Sequence, residues 1–436
     1  MKKILLFLTV LLLTFSAFSQ SRIKTMFYNL QNFGASSTKT PNIIPIINDY
    51  KPDLIMAAEL TQNSAADNLL NNGLNKNTAG LTYTRPITYT ENTSPQGTFE
   101  QFVFYNASKL ELVNQYFYPT NVRDINRFTF KILGDEFISN PIYLEVFVNH
   151  LQPSDGATER QIRLDMATIF TNLLPTLAAN SYILYAGDLN LYSSNEPAYI
   201  ELLDPTNAIV LKDPINGPCI TMPNDGTNYW GAFFPGHQLF EPKGDIKYFW
   251  QDNPDFKDIH TQNPKTNLDD RFDFILTSEN ILNSTSSITY VADSYKAYGN
   301  NGNCFDIAIN HTNCSGTYSQ NLREALFAFS DHLPVVMELE AKAITLSVSD
   351  FNANSISFEN SNITSNKLTL NIKNELINSN IIIYNQLGQI VKINPINYKT
   401  VLNNQLTINV SELSKGVYFI KNEKYKQDKP LKFVKI

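Results

Sequence analysis

The sequence predicts an α+β protein in two parts, a large mixed domain followed by a small β-sandwich. Three observations carry that division. Apolar, strand-like runs recur through the first three quarters of the chain with few helical patterns between them. From 343 to 366 the composition shifts to Ser and Asn and no period persists, which reads as a linker. Beyond it, short strands crowd together at 368–372, 380–384, 389–393, 405–410, 416–421 and 430–436.

Taken in order, residues 1–19 have the form of a secretory signal peptide. Lys2 and Lys3 precede an apolar stretch from Ile4 to Phe15, and Ala17-Phe18-Ser19 supplies a small-x-small cleavage site, so the mature chain is expected to start at Gln20. The apolar stretch is too short to span a bilayer, and no later one qualifies. A strand over 23–28 runs into Asn29-Leu30-Gln31-Asn32-Phe33. A helix follows over 44–50, with Pro45 tolerated in its first turn. The strand over 53–58 ends at Glu59. Residues 100–105 and 110–117 read as a hairpin joined through Asn106-Ala107-Ser108. Ile142, Leu144, Val146 and Val148 alternate with polar or aromatic residues and mark a strand ending at Asn149-His150.

The strongest helical pattern covers 158–178, where Ile162, Met166, Ile169, Phe170, Leu173 and Leu177 form one stripe and Pro175 marks a kink or an end. A strand over 182–186 runs into Gly187-Asp188-Leu189-Asn190. Residues 204–268 are rich in Pro, Asn, Asp and Gly and read as a long loop. Strands over 272–277 and 335–339 complete the large domain. In the C-terminal part, Asn385-Gln386-Leu387-Gly388 suits a hairpin turn.

Composition narrows the class. With 436 residues there is room for one large domain and a smaller one. Lys and Arg number 34 against 41 Asp and Glu, a net charge of −7, which opposes attraction of the whole surface to nucleic acid. A local basic groove, or a phosphate site whose positive charge comes from a metal, remains compatible. Cys304 and Cys314 flank a short loop and are expected to form a disulfide, leaving Cys219 over. No Cys-x-x-Cys spacing suggests zinc.

Asn29, Glu59, His150, Asp188 with Asn190, and Asp331 with His332 all stand at the edge of an apolar strand. Singly, each has a structural explanation. An Asn or Asp often ends a strand, and a buried histidine is commonly satisfied in a core. Together they supply the inventory of phosphodiester hydrolysis. Hard oxygen ligands hold a divalent cation, one imidazole takes a proton from water, and a second acid protonates the leaving oxygen.

At this point the chain resembles the endonuclease/exonuclease/phosphatase superfamily, which includes pancreatic deoxyribonuclease. The motifs are Tyr28-Asn29-Leu30-Gln31-Asn32-Phe33, Ala58-Glu59, Asn149-His150-Leu151, Gly187-Asp188-Leu189-Asn190, Arg271-Phe272-Asp273-Phe274-Ile275-Leu276 and Ser330-Asp331-His332-Leu333-Pro334-Val335, in the family's order. The resemblance implies a four-layer α-β-β-α sandwich over 20–342, with the site at one mouth of the paired sheets. It also implies Glu59 as the principal metal ligand, with Asn29 and Asp331 near the ion, which is taken as Mg2+ with Mn2+ or Ca2+ as alternatives. Asp188 and Asn190 would position water and phosphate, His332 oriented by Asp273 would be the base, and His150 the partner acid. A looser match suggests that Glu100 orients His150. Arg127 would contact phosphate, with Arg123 as the competing candidate. Asp258-Ile259-His260-Thr261-Gln262 matches no family pattern, so His260 and Gln262 are either substrate contacts or ordinary loop residues.

Residues 367–436 resemble the C-terminal sorting domain of the type IX secretion system. The resemblance rests on Ile383-Tyr384-Asn385-Gln386-Leu387-Gly388-Gln389, on the stretch from Val410 through Gly416-Val417-Tyr418 to Lys421, and on the basic end, Lys429 to Lys435. The resulting expectation is an exported, monomeric nuclease acting on extracellular DNA or RNA, carried by the type IX machinery and not inserted in a membrane. The alternatives are a phospholipid or sphingomyelin phosphodiesterase, a phosphatase of the same superfamily, or a binding protein with a degenerate site.

Overall fold

The computed structural model describes residues 21–343 and 356–436, apart from 77–79, 90, 95–98, 216–255, 374–375, 398, 403 and 425–429. The signal-peptide residues 1–19 and Cys219 lie outside the described residues. Contacts divide the chain into two compact units after residue 344.

The large unit begins with β1 (Ser21–Phe33), α1 (Thr40–Tyr50), β2 (Leu54–Leu60), α2 (Asn63–Asn68), β3 (Tyr83–Thr84) and β4 (Glu100–Asn106). It continues through β5 (Leu110–Tyr118), β6 (Ile125–Ile132), β7 (Tyr143–His150), α3 (Ala157–Thr171), β8 (Tyr182–Asp188), α4 (Pro197–Leu202) and β9 (Leu211–Lys212). The last run is β10 (Asp273–Ser278), β11 (Ile288–Tyr290), β12 (Lys296–Ala297), α5 (Gln320–Phe329) and β13 (Val335–Ala341). One sheet has the order β11-β13-β1-β2-β4-β3, with β12 also paired to β13. The other has the order β5-β6-β7-β8-β10-β9.

Alternation decides what each strand buries. On β7, Leu144, Val146 and Val148 share one core with Met26, Phe27 and Phe104 of the first sheet. Phe147 faces the other way, onto Phe170 of α3 at 5.0 Å between ring centroids, in a second core with Tyr199 of α4 and Phe274. On the first sheet, α1 and α5 pack together and bury Ile43, Ile46, Leu322, Leu326 and Phe329. The result is the four-layer α-β-β-α sandwich. Each such side chain contributes roughly 1.5–3 kcal/mol by leaving water.

Several elements differ from the sequence expectation, each for a physical reason. The predicted hairpin of 100–105 with 110–117 does not form. β4 pairs with β2 and β3 while β5 pairs with β6, so the Asn106 turn carries the chain from one sheet to the other. The helix predicted over 44–50 starts at Thr40 because Pro41 occupies its first turn, and Pro45 falls inside it. The helix predicted to reach 178 stops at Thr171, and a short 3-10 turn, Leu174–Thr176, holds Pro175, which has no N–H to continue the ladder. α5 lies where no helix is expected from the sequence, and Ser319 caps it by accepting from Leu322 N–H at 3.3 Å. Cys304 and Cys314 form the expected disulfide.

The C-terminal unit contains β14 (Ile356–Phe358), β15 (Ile363–Thr364), β16 (Lys367–Ile372), β17 (Ser379–Tyr384), β18 (Ile390–Ile396), β19 (Val401–Leu402), β20 (Gln405–Asn409), β21 (Gly416–Asn422) and β22 (Leu431–Lys435). They form sheets β14-β16-β20-β19 and β15-β22-β21-β17-β18 around one apolar core that includes Leu370, Ile381, Ile383, Leu406 and Ile408. β14 and β15 lie in the stretch predicted to be linker; strands of three and two residues are too short to show a period. The expected turn forms, with Asn385 Oδ1 accepting from Leu387 N–H at 3.0 Å and Gly388 at φ 77°.

Candidate active site

Strand register lines up the polar strand ends. β7 and β8 run parallel and set His150 opposite Asp188. β8 and β10 run antiparallel and set Asp188 opposite Asp273. Adjacent strands of the second sheet therefore present His150, Asp188 and Asp273 in a row. In the first sheet Asn29 pairs beside Ala58, which makes Glu59 the next residue along. Phe27 pairs with Val335, so Asp331 and His332 lie just ahead of β13 at the same end. The two rows then meet across the sandwich. Asn29 Nδ2 donates to Asp188 Oδ2 at 2.9 Å and to Glu59 Oε1 at 3.1 Å. His332 Nδ1 pairs with Asp273 Oδ2 at 2.7 Å, and its Nε2 faces Asp188 Oδ2 at 3.7 Å. His150 Nε2 approaches the same Asp188 oxygen at 3.4 Å.

The backbone is bent to achieve this. Register shifts interrupt β1–β2 between Asn29 and Phe33 and β2–β4 between Ala57 and Leu60, and such bulges re-aim side chains. Glu59, Asn190, Gln31 and Asn32 all take left-handed backbone, at φ 64°, 48°, 49° and 53°. Each costs on the order of 1 kcal/mol or more and persists only where its surroundings enforce it. For Glu59 that enforcement is visible: Asn32 N–H donates to Oε2 at 2.8 Å. Gly187 is required for a different reason. A Cβ there would lie 2.5 Å from the Asn149 carbonyl oxygen, where β7 and β8 close up behind His150 and Asp188.

Electrostatics separates the two histidines. Burial works against charge on His332, but Asp273, Asp188 and Asp331 outweigh it and hold its pKa up to about 10. Burial depresses His150, and Arg123 and His332 add to the effect. Burial also pushes the Asp188 carboxyl up to about 7, with His332 opposing and Asp273 and Glu59 adding to the rise. These directions favour the charged form of His332 and the neutral form of His150.

The donor set fits a hard divalent cation. Glu59 and Asn29, joined by a hydrogen bond, could offer a carboxylate and an amide oxygen, with Asp331 next to His332 in the chain. Glu59 Oε1 and Asp188 Oδ2 both accept from the one Asn29 amide, which holds the two carboxylates on either side of a single nitrogen. Asp273 Oδ1 is buried without a partner. Asp188, Asp273 and His332 can also offer ligand atoms lying within 4.8 Å of one another. Two of those three, Asp273 and His332, are already bonded to each other.

Other predicted residues are placed unevenly. Asn190 is at the mouth, its Nδ2 donating to Leu151 O at 3.2 Å and its N–H to Asp188 Oδ1 at 3.2 Å. Glu100 does not orient His150: it accepts from Asn92 N–H, and His150 Nδ1 has no partner. Arg127 is also displaced from its expected role. It lies on the outer face of the second sheet, bonded to Glu145 at 2.8 Å and packed on Tyr116 and Phe147. Arg123 is the arginine at the mouth. Its Nη1 donates to His150 O at 3.3 Å and Leu151 O at 3.2 Å, its Nε has no partner, and Asp188 and Glu59 act on its charge. His260 is buried beside Phe305, whereas Gln262 pairs by backbone with His332.

Two residues without a role in the sequence reading hold the site together. Ser330 Oγ donates to Asn29 O at 2.7 Å and accepts from His332 N–H at 3.2 Å, tying β1 to the histidine. Thr261 Oγ1 accepts from Asp273 N–H at 3.3 Å, and its carbonyl accepts from Leu333 N–H at 2.6 Å. Both stand in stretches notable in the sequence, but apart from His332, two residues from Ser330, their partners lie on other elements, so no local pattern reveals them.

Residues 362–435 match the family model described as the secretion system C-terminal sorting domain. No curated protein matches the chain in sequence. Among solved structures, an endonuclease/exonuclease/phosphatase family protein from Bacteroides thetaiotaomicron is 14% identical, covering 75% of this chain and 97% of its own, at a TM-score of 0.43. A protein of the same description from Bacteroides vulgatus is 12% identical, covering 74% and 100%, at 0.44. The human Nocturnin catalytic domain with bound sulfate is 14% identical, covering 73% and 97%, at 0.41. Likeness at this level says nothing of substrate, and the site's own geometry has to carry the functional reading. No helix among the described residues is long and apolar enough to cross a membrane.

Proposed function

We propose that the large unit is a metal-dependent phosphodiesterase that hydrolyses nucleic acid by attack of water on phosphate, and that the C-terminal unit addresses it for export by type IX secretion. The observation that supports this best is the alignment of Asp273, His332 and Asp188. Asp273 fixes the imidazole through Nδ1 at 2.7 Å and leaves Nε2 facing the mouth, where a water proton can be taken. Mg2+ held by Glu59, Asn29 and Asp331 would neutralise phosphate charge and weaken the hold of the nearby carboxylates on the His332 proton. Asp188 and Asn190 position water and phosphate. His150, on the far side of Asp188, serves as a neutral hydrogen-bond donor to the substrate phosphate, in keeping with its depressed pKa. Arg123, with its unpartnered Nε, is the phosphate contact. The match of 362–435 to a sorting domain supports export.

Incubation with plasmid DNA, RNA, sphingomyelin and 4-nitrophenyl phosphate, in Mg2+ and in EDTA, tests the reading. Cleavage of a nucleic acid in Mg2+ that stops in EDTA is expected. Cleavage of sphingomyelin or the monoester alone transfers the reading to those substrates. Cleavage unaffected by EDTA contradicts the mechanism.

A further inference from the structure

The mouth carries two ammonium groups that the proposed mechanism leaves unused. Lys39, at the start of α1, turns back to donate to the carbonyls of Leu30 at 2.7 Å and Gln31 at 2.5 Å. Lys265 belongs to the loop that lies against the His332 segment, docked by Asn263 N–H on Asp331 O at 3.0 Å and by the Gln262–His332 bridge. Its Nζ reaches Gln31 Oε1 at 2.7 Å. Both lysines are half-buried, and their hydrogen bonds go to neutral oxygens. Neither joins an ion pair among the described residues.

Two cations thus converge on one residue, Gln31, whose own backbone is left-handed at φ 49°. Their proximity has a cost. Burial, and then Lys265, lower the Lys39 pKa to about 8, against the opposing pull of Asp331 and Glu59. Those carboxylates are the ones proposed to hold the cation, so the lysines stand on the rim of the same mouth. Like charges held together, partly desolvated and bonded only to neutral groups, are stabilised by an anion that binds between them.

We propose that Lys39 and Lys265 form a subsite for a second phosphate, flanking the scissile group in the same substrate molecule. The inference rests on the phosphodiesterase reading and narrows it. A polynucleotide carries such a phosphate one nucleotide along, whereas sphingomyelin carries a cationic choline beside its single phosphate, which this rim repels. A lysine ammonium, a compact charge on a flexible stem, suits a phosphate whose position varies with the strand.

Lys265→Gln in the full chain is the first variant, since Lys265 bonds only to a side chain; Lys265→Arg restores the charge. Hydrolysis of the dinucleotide TpT is compared with that of pTpT and TpTp, which add one terminal phosphate to the same scissile bond. The wild type is expected to prefer one phosphorylated form by about tenfold in kcat/KM, a preference lost in Lys265→Gln and kept in Lys265→Arg. Binding of tripolyphosphate in EDTA, by calorimetry, should weaken about tenfold in Lys265→Gln alone. A wild-type preference that survives in Lys265→Gln, or no preference at all, overturns the subsite while leaving the phosphodiesterase reading intact. Lysine-dependent tripolyphosphate binding without hydrolysis of any dinucleotide overturns the phosphodiesterase reading and leaves the anion site standing. If Lys265→Gln changes neither hydrolysis nor binding, the inference fails outright.

Discussion

Both units are built from paired sheets around an apolar core, but they treat polar groups in opposite ways. In the C-terminal unit the few buried polar side chains among the described residues are bonded: Asn422 Nδ2 donates to Ser379 Oγ at 2.9 Å and Lys435 Nζ to Ile436 O at 3.0 Å. In the large unit one cluster of buried carboxylates, amides and imidazoles stands at one end of the sandwich, and several of its atoms have no partner, among them His150 Nδ1, Asp273 Oδ1 and both polar atoms of Asn149. An unsatisfied buried polar group costs about 1–3 kcal/mol. Several such groups at one strand end, beside left-handed backbone at Glu59 and Asn190, mark a place where a ligand completes the bonding. The contrast separates strand ends that only stop a sheet from strand ends that do chemistry.

Glu59→Gln attacks that contrast most directly. Loss of the carboxylate should lower kcat/KM in Mg2+ by about 100-fold or more while the melting temperature stays level or rises, because one of several neighbouring carboxylates leaves the mouth. A large fall in stability with little change in rate would make Glu59 a structural residue.

Ile383→Ala probes the other unit. Its side chain is fully buried, so truncation should cost about 2–5 kcal/mol and lower the melting of the C-terminal unit. Phosphodiester hydrolysis by the large unit should be unchanged. A matching loss of activity would mean that the two units are not energetically separate.

Glu100→Gln should have the smallest effect and the clearest pH dependence. Burial pushes the Glu100 pKa from 4.5 up to about 8, so the folded state keeps a proton that the unfolded state releases. The group's stabilisation is complete below about pH 4.5 and is lost as pH rises towards 8. Gln keeps the acceptor for Asn92 N–H without the charge, and the variant should exceed wild type by roughly 1 kcal/mol at pH 8 and by almost nothing at pH 5. Denaturant midpoints at the two pH values read this directly; an advantage at pH 5 that vanishes at pH 8 would contradict it.

The sequence made the strand ends legible because each polar residue follows an apolar run, and Asn29, Glu59, His150, Asp188, Asp273 and His332 are all brought to one mouth. What it could not show was which face of a strand a side chain occupies relative to a remote partner. Arg127 and Arg123 are close in sequence, yet one stacks against Phe147 on the outer face and the other reaches the His150 carbonyl. Glu100 sits beside Leu60 in register but is bonded to Asn92, a loop residue that carried no signal. The crossing at Asn106 reads as a hairpin in the sequence because a tight turn between two strands looks alike whether the strands pair or part. Lys265 reaches the mouth through a loop docked on Asp331, a contact that no local pattern announces.

Chemical rescue tests the central claim most directly. His332→Gly opens space beside Asp273 and should lower hydrolysis of bis(4-nitrophenyl) phosphate in Mg2+ by about 10²–10⁴-fold. Added imidazole should restore part of the rate in this variant and none in Glu59→Gln. A His332→Gly variant that hydrolyses the diester at the wild-type rate, with no response to imidazole, would contradict His332 as the base.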